Sequence, residues 1–393
     1  MKKSLFIAVF ACALLCCFSA LAEAADITSS VRMEASSNKR FLYRLTDRQF
    51  NKAWSGSSGH GSLNLSSGIP MYGLYIIWEE PPKAFSIISS GKVVADFEDA
   101  VFLHQYYPLN GETSIRLTPK NDSGRHFGIK EIYVLGEGKL PSWVQRWAAT
   151  YSEADMMLLF AHPDDEVLYF GGLLPYYGAE RGLRLLPVLL TDAGSQRHTE
   201  LLNCLWSLGI RHYPVFGPFR DAYLWDLKDG YAKFGKTLTT QFVVEQIRKH
   251  KPKVLVTHDI KGEYGHGAHK MCADLAIRSL QYASDPEFHQ ESYQQFGGHR
   301  LQKLYLHLYR ENEIVMDWDQ LLLAFGGKTG FELAREAYDL FHLSQHKYEQ
   351  YHVEPRSSRY SSYHFGLYLC SVGPDIQRND MMENIDIAGG QGL

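Results

Sequence analysis

Apolar positions along this chain follow two regimes. Between residues 26 and 145 they come as short, often aromatic runs separated by turn-forming clusters. Examples are Tyr72-Gly73-Leu74-Tyr75-Ile76-Ile77-Trp78, Ala84-Phe85-Ser86-Ile87-Ile88, Thr113-Ser114-Ile115-Arg116-Leu117 and Ile129-Lys130-Glu131-Ile132-Tyr133-Val134-Leu135, with Ser62-Leu63-Asn64-Leu65 upstream. That spacing predicts an all-β sandwich. From about residue 150 to 310, compact apolar runs alternate with segments of helical spacing. Met156-Met157-Leu158-Leu159-Phe160, residues 184–191, Val254-Leu255-Val256-Thr257 and residues 304–309 read as buried strands, and residues 240–248 as a helix leading to Pro252. The alternation predicts an α/β fold, a Rossmann-like, mostly parallel sheet with helices on both faces. Gly136-Glu137-Gly138-Lys139-Leu140-Pro141 is the expected linker. Residues 311–393 form a C-terminal extension packed on the α/β domain, helical notably over 331–351. There are no internal repeats. The expected division is 1–24 leader, 26–138 β-sandwich, 150–310 α/β domain and 311–393 extension.

The leader expectation rests on Met1-Lys2-Lys3, an apolar stretch over 5–21, and the small-x-small sites Ala20-Leu21-Ala22 and Ala22-Glu23-Ala24. This is the pattern of a secretory signal peptide, with cleavage after Ala22 or Ala24. Cys16 and Cys17 raise a lipoprotein alternative, but Leu15 and Cys16 stand where a small residue usually precedes the lipidated cysteine. No other apolar run approaches the roughly 20 residues of a membrane span. The expected location is therefore secreted or periplasmic, without a transmembrane anchor in the mature chain. Cys204, Cys272 and Cys370 then remain, too few for a disulfide framework. Cys204 and Cys272 read as buried helical thiols. A net charge of -4 argues against nucleic acid or an anionic membrane as the main partner.

The chemistry concentrates in two places. Ala161-His162-Pro163-Asp164-Asp165-Glu166 follows the first predicted strand, so one imidazole and three carboxylates gather at a strand's C-terminal end, where open α/β sheets bind ligands. Such a cluster is costly unless something pairs with it, and His and Asp are both zinc ligands. The second place, Glu263-Tyr264-Gly265-His266-Gly267-Ala268-His269, follows the strand at 254–257. His266 and His269 share a face if a helix begins there. Each motif alone is commonly a plain turn or a surface helix. Together, each after a strand, they can close on one metal.

These residues resemble the PIG-L / LmbE-like family of zinc-dependent N-acetylglucosaminyl deacetylases. The likeness continues through Leu190-Thr191-Asp192-Ala193-Gly194, Arg197-His198-Thr199-Glu200, Leu208-Gly209 and Arg220-Asp221, and covers about residues 150–380. Gly326-Gly327-Lys328-Thr329, Ser344-Gln345 and Val372-Gly373-Pro374-Asp375 look like the longer bacterial members. The resemblance implies His162, Asp165 and His269 as metal ligands, Asp164 as general base, and His266 with Tyr264 stabilising the oxyanion or serving the leaving amine. It implies Arg197 and Asp221 as contacts to sugar hydroxyls; the plainer readings are an Arg197–Glu200 helical pair and a cap or Arg220 pair for Asp221. Many members carry Asp directly before the last His, where this chain has Ala268. A carboxylate serving His266 would then come from Glu263 or Asp259. Glu166 is expected to support the turn. The metal is expected to be Zn2+, with Fe2+ or Co2+ as alternatives.

Leu45-Thr46-Asp47, Ala53-Trp54-Ser55 and residues 129–134 resemble discoidin-type (galactose-binding-like) jelly-roll modules. Trp206 reads as core, and Trp225 as a candidate for stacking on a sugar. The implied function is a secreted zinc-dependent deacetylase acting on an N-acetylglucosamine-containing sugar or glycan. The alternatives are another zinc amidohydrolase acting on an amino-sugar conjugate, or a catalytically silent carbohydrate-binding protein.

Overall fold

The computed structural model describes residues 22–57, 61–99, 102–120 and 128–387, so the expected leader lies almost wholly outside them. The first half is β-rich. Strands β1 (Val31–Ala35), β2 (Trp54–Ser55), β3 (Leu63–Trp78), β4 (Lys83–Ser89), β5 (Lys92–Asp99), β6 (His104–Pro119) and β7 (Gly128–Leu135) pair antiparallel in the order β2-β7-β3-β6-β4-β5, with β1 on β3. The runs expected separately at 62–65 and 72–78 belong to one strand. Ser66, Ser67, Gly68, Ile69 and Pro70 interrupt its alternation, residues 68–70 are exposed, and the register against β6 shifts there. Trp54, Trp78, Phe85 and Tyr107 fill the core of this region.

The second half is built around β8 (Met156–Phe160), α1 (Asp165–Leu168), β9 (Leu185–Asp192), α2 (Ser195–Ser207), β10 (Val215–Arg220), α3 (Leu227–Phe234), α4 (Lys236–His250), β11 (Val254–Thr257), α5 (Gly267–Tyr282), α6 (Gln290–Phe296) and β12 (Lys303–His307). The strand order is β10-β9-β8-β11-β12, all parallel. Every residue of β8 is buried because both faces of the sheet are covered. Met156, Leu158 and Phe160 pack in one core with residues of α2, and Met157 and Leu159 in another with residues of α4 and α5. The chain winds outward from β8 to β9 and β10, then returns to β11 beside β8. The carboxyl ends of β8 and β11 therefore flank the point where the winding reverses, and loops leaving in opposite directions open a crevice there. Gly217 lets β10 lie close on β9: a Cβ at this position would stand 1.9 Å from the Leu190 carbonyl oxygen. That approach fixes where the chain reaches Asp221.

The remaining elements are β13 (Glu313–Val315), the short hairpin β14 (Leu321–Leu322) and β15 (Lys328–Thr329), α7 (Gly330–Phe341) and β16 (His364–Cys370). β16 inserts antiparallel between β12 and β13, so the expected parallel sheet is mixed at this edge. A capping box between Thr329 and Glu332 starts α7. The helix stops at Phe341, short of the expected 351, because His342 turns inward to Glu166 and a short 3-10 turn, Leu343–Gln345, follows. Cys204 and Cys272 are buried on α2 and α5, and all three described cysteines are free thiols. Among the described residues, no helix is long and apolar enough to cross a membrane.

Candidate active site

The chain leaves β8 through a turn that its own side chains hold. The backbone N–H of His162 donates to Asp165 Oδ2 (2.7 Å), and that of Asp164 donates to Glu166 Oε2 (2.7 Å). Asp164 sits at φ 117°, a region that L residues rarely adopt. Such a residue costs of order 1–3 kcal/mol and persists where its surroundings over-determine it. Here Arg197 supplies the second restraint, with Nη2 3.0 Å from Asp164 Oδ1 and a hydrogen bond to the Pro163 carbonyl. Burial pushes the Asp164 carboxyl up to about 6, with Arg197 opposing the rise.

On the other side of the crevice, Tyr264 at φ 46° carries the chain into α5, and His266 is that helix's N-cap. His269, one turn in, reaches back across the gap. Its Nε2 lies 3.3 Å from His162 Nδ1 and 3.3 Å from Asp165 Oδ1, and His162 Nδ1 lies 3.2 Å from Asp165 Oδ2. Glu263 Oε2, 2.8 Å from His269 Nδ1, calls for a proton there and leaves Nε2 as a lone pair. Asp221 Oδ1 lies 3.4 Å from His162 Nε2, on the side of the ring away from Asp165. His162 Nδ1, His269 Nε2 and the two oxygens of the Asp165 carboxylate thus converge on one small space. The separation of ligand atoms around a tetrahedral zinc, given bonds of roughly 2.0–2.1 Å, is about 3.3 Å. The residues fit a divalent cation. In its absence, burial alone would lower the His269 pKa, but Asp165 and Glu263 outweigh it and hold it at about 10. Burial would likewise raise Asp165, and His269, His162 and His258 reverse this, holding it well below the carboxylate range.

His266 stands beside this cluster, its ring 4.7 Å from that of His162. Neither Glu263 nor Asp259 hydrogen-bonds to it. Instead its Nδ1 accepts the Ala268 backbone N–H (3.2 Å), which places the ring proton on Nε2. Burial, reinforced by His162 and His269, pushes its pKa down to about 2, so this ring is a neutral donor rather than a cation. The Tyr264 and Tyr351 rings lie 6.1 Å apart, and burial raises the pKa of the Tyr264 phenol, which stays protonated. His162, Asp164, Asp165, Arg197, Asp221, His266 and Tyr264 all line one cleft of about 200 Å3, closed on the C-terminal side by Gln345, Tyr348 and Tyr351. His269 lies behind it, fully buried.

Arg197 makes no hydrogen bond to Glu200, which accepts instead from Ser344 N (3.0 Å) and Oγ (2.6 Å). Asp221 Oδ2 is 3.7 Å from Arg197 Nη1. Glu263, expected as a partner of His266, is instead a hub for other imidazoles: besides His269, its Oε2 is 2.8 Å from His258 Nδ1, and its Oε1 is 2.5 Å from His307 Nδ1 and 3.2 Å from the Asp259 backbone nitrogen. His258, His307 and His342 were missed by sequence reasoning. His258 and His307 stand at the ends of β11 and β12, a position that could have flagged them. His342 Nε2 is 2.7 Å from Glu166 Oε1, both fully buried; burial would lower the His342 pKa, but Glu166 holds it above the usual value. Removing one partner of such a pair costs about 3–5 kcal/mol. His342→Ala is therefore expected to lower stability by about 3 kcal/mol, read from the denaturant midpoint at constant slope.

Fold and site together define a Rossmann-like α/β domain with a His/Asp cluster at its switch point. Residues 157–280 match the family model described as PIG-L: GlcNAc-PI de-N-acetylase. A 1D-myo-inositol 2-acetamido-2-deoxy-alpha-D-glucopyranoside deacetylase 1 from Frankia alni is 27% identical over 159 residues, covering 33% of this chain and 55% of that protein. The corresponding deacetylase 2 from Saccharopolyspora erythraea is 31% identical over 160 residues, 34% of this chain and 58% of that protein. The chain thus spans about half the length of the curated relatives it matches. Among solved structures, an N,N'-diacetylchitobiose deacetylase from Pyrococcus horikoshii aligns over 50% of this chain and 77% of its own, at 16% identity and a TM-score of 0.36.

Proposed function

We propose that this protein is a metal-dependent deacetylase that hydrolyses the N-acetyl group of an N-acetylglucosamine-containing sugar or glycan. The observation that carries this reading is the convergence of His162 Nδ1, His269 Nε2 and the Asp165 carboxylate at 3.2–3.3 Å, inside a segment that matches a de-N-acetylase family model. These three residues would hold a divalent cation, most simply Zn2+, in a set that leaves a position open as catalytic sites do. When bound, such a cation supplies Lewis acidity that polarises an amide carbonyl and acidifies water. Asp164 takes a proton from the attacking water as its oxygen adds to the acetyl carbon. His266 Nε2–H and the Tyr264 hydroxyl donate to the developing oxyanion. The C–N bond then breaks and Asp164 returns its proton to the departing amine, giving acetate and a free amino sugar. Arg197 aims Asp164, and Asp221 and Arg197 face the sugar hydroxyls.

The test is acetate release from N-acetylglucosamine-containing sugars before and after dialysis against a chelator. Activity is expected to vanish on chelation and return with zinc. Acetate release that is indifferent to chelation, or absent across the panel, overturns the reading.

The proposal extends to organisation and location. Residues 26–138 are read as a discoidin-like jelly-roll sandwich, 150–310 as the deacetylase domain and 311–393 as its extension. Export rests on the charge and apolar pattern of residues 1–24.

A further inference from the structure

We propose that His342, carried by the C-terminal extension, is a positioning residue for Asp164: it holds Glu166, and Glu166 holds the Asp164 backbone. This rests on the deacetylase reading, in which Asp164 handles the proton, and extends its machinery beyond residues 157–280, the segment that matches the de-N-acetylase model. Glu166 uses its two oxygens for two different jobs. Oε2 accepts the Asp164 N–H (2.7 Å), and Oε1 accepts His342 Nε2–H (2.7 Å) from 176 residues away. Both side chains are fully buried, and His342 is the one ion-pair partner of Glu166 among the described residues. His342 Nδ1 is buried without a hydrogen-bond partner, so the polar contact this imidazole makes is the one to Glu166.

The bond matters because of the backbone it reaches. Asp164 stands at φ 117°, where an L residue stays only if its surroundings hold it. It is held at two points. Glu166 takes its N–H, and Arg197 takes its carboxylate, with Nη2 3.0 Å from Oδ1. One short turn of the extension reaches both holders. His342 bonds Glu166, and two residues on, Ser344 N and Oγ donate to Glu200 (3.0 and 2.6 Å), one turn along α2 from Arg197. The next residue, Gln345, lines the cleft. Stability alone does not call for such a pair, since a buried ion pair is often no better than apolar residues of its size. What an apolar pair cannot do is present a fixed oxygen to the Asp164 N–H.

The experiment measures kcat and KM for acetate release from N-acetylglucosamine-containing sugars on the zinc-loaded protein, together with hydrogen exchange of the Asp164 amide. His342→Asn, too short to reach Glu166, is expected to lower kcat about 10- to 100-fold with KM nearly unchanged, and to speed that exchange. His342→Gln sets an N–H close to where Nε2 stood and is expected to restore most of both. Thr329→Ala removes the cap at the far end of α7; it is expected to lower stability and leave kcat and exchange as they were. Where His342→Asn fails to fold, Ser344→Ala takes its place, with a fall in kcat of about threefold expected. Unchanged kcat in an active protein, unchanged exchange, or a matching fall in Thr329→Ala overturns the positioning role. An unmodified protein that releases no acetate overturns the deacetylase reading instead. The exchange comparison then decides alone: faster exchange in His342→Asn, cured in His342→Gln, supports the role, and equal exchange overturns it.

Discussion

Asp164→Asn is expected to cut acetate release by a factor of about 10^2 to 10^4 while leaving metal content unchanged. The substitution keeps the volume and the side-chain oxygen, so the turn closed by His162, Asp165 and Glu166 survives. What it removes is the carboxylate proposed to take and return a proton. Arg197 Nη2 stands 3.0 Å from Asp164 Oδ1, and burial has raised this carboxyl to about 6, which leaves it ionised yet basic near neutral pH. Asp165 is held well below the carboxylate range by the imidazoles around it and cannot substitute. Metal analysis and a thermal melt of the variant separate lost chemistry from lost structure. A variant that retains near-normal turnover would remove Asp164 from the mechanism.

Glu263→Gln should have the largest effect on the metal and on stability together. The carboxylate is fully buried; His258 Nδ1, His307 Nδ1 and the Asp259 N–H hydrogen-bond to it, and His269 Nδ1 lies 2.8 Å away. Burial alone would raise its pKa, yet His258, His269 and His307 hold it well below the usual range. A glutamine offers one acceptor oxygen and turns an NH2 donor toward the rest. His269 then loses the partner that fixes its proton on Nδ1 and leaves Nε2 free. Such outer partners are worth 10–100-fold in metal affinity, and unpairing a buried charge costs about 3–5 kcal/mol. Competition with a chromophoric chelator reads the first, and denaturant unfolding of the metal-free protein reads the second. An unchanged affinity would show that His269 needs no orienting carboxylate.

The parts of this site that were legible in the sequence are those that lie together in it. His162, Asp164 and Asp165 share one turn, and His266 and His269 one helix start, so two short motifs, each after a strand and read together, draw attention to them. The hub around Glu263 draws His258, His269 and His307 from a strand end, a helix and another strand end, and nothing local ties them together. The missing carboxylate at Ala268 looked like a gap because side chains were being counted. The backbone N–H of Ala268 itself occupies His266 Nδ1. Arg197 and Glu200 looked like a helical pair because their spacing allows it, but each finds a partner elsewhere in the fold. Likewise apolar spacing continues past Phe341, while a buried carboxylate, Glu166, turns the chain inward at His342. Propensity describes what a segment could do alone, and buried charge decides against it.

The place of β16 has a consequence for biogenesis. β16, the last strand among the described residues, fills a slot between β12 and β13, two strands made well before it. Until residue 370 has emerged, that slot presents two unpaired edges, the kind of surface on which nascent chains stick to one another. Tyr348 and Tyr351, which wall the cleft, also come late. A chain shortened upstream of His364 would keep all of the proposed metal ligands and still lack a closed sheet. Closure of this sheet therefore waits on residues 364–370, and until they pair, the edge of β12 is open to the addition of a foreign strand.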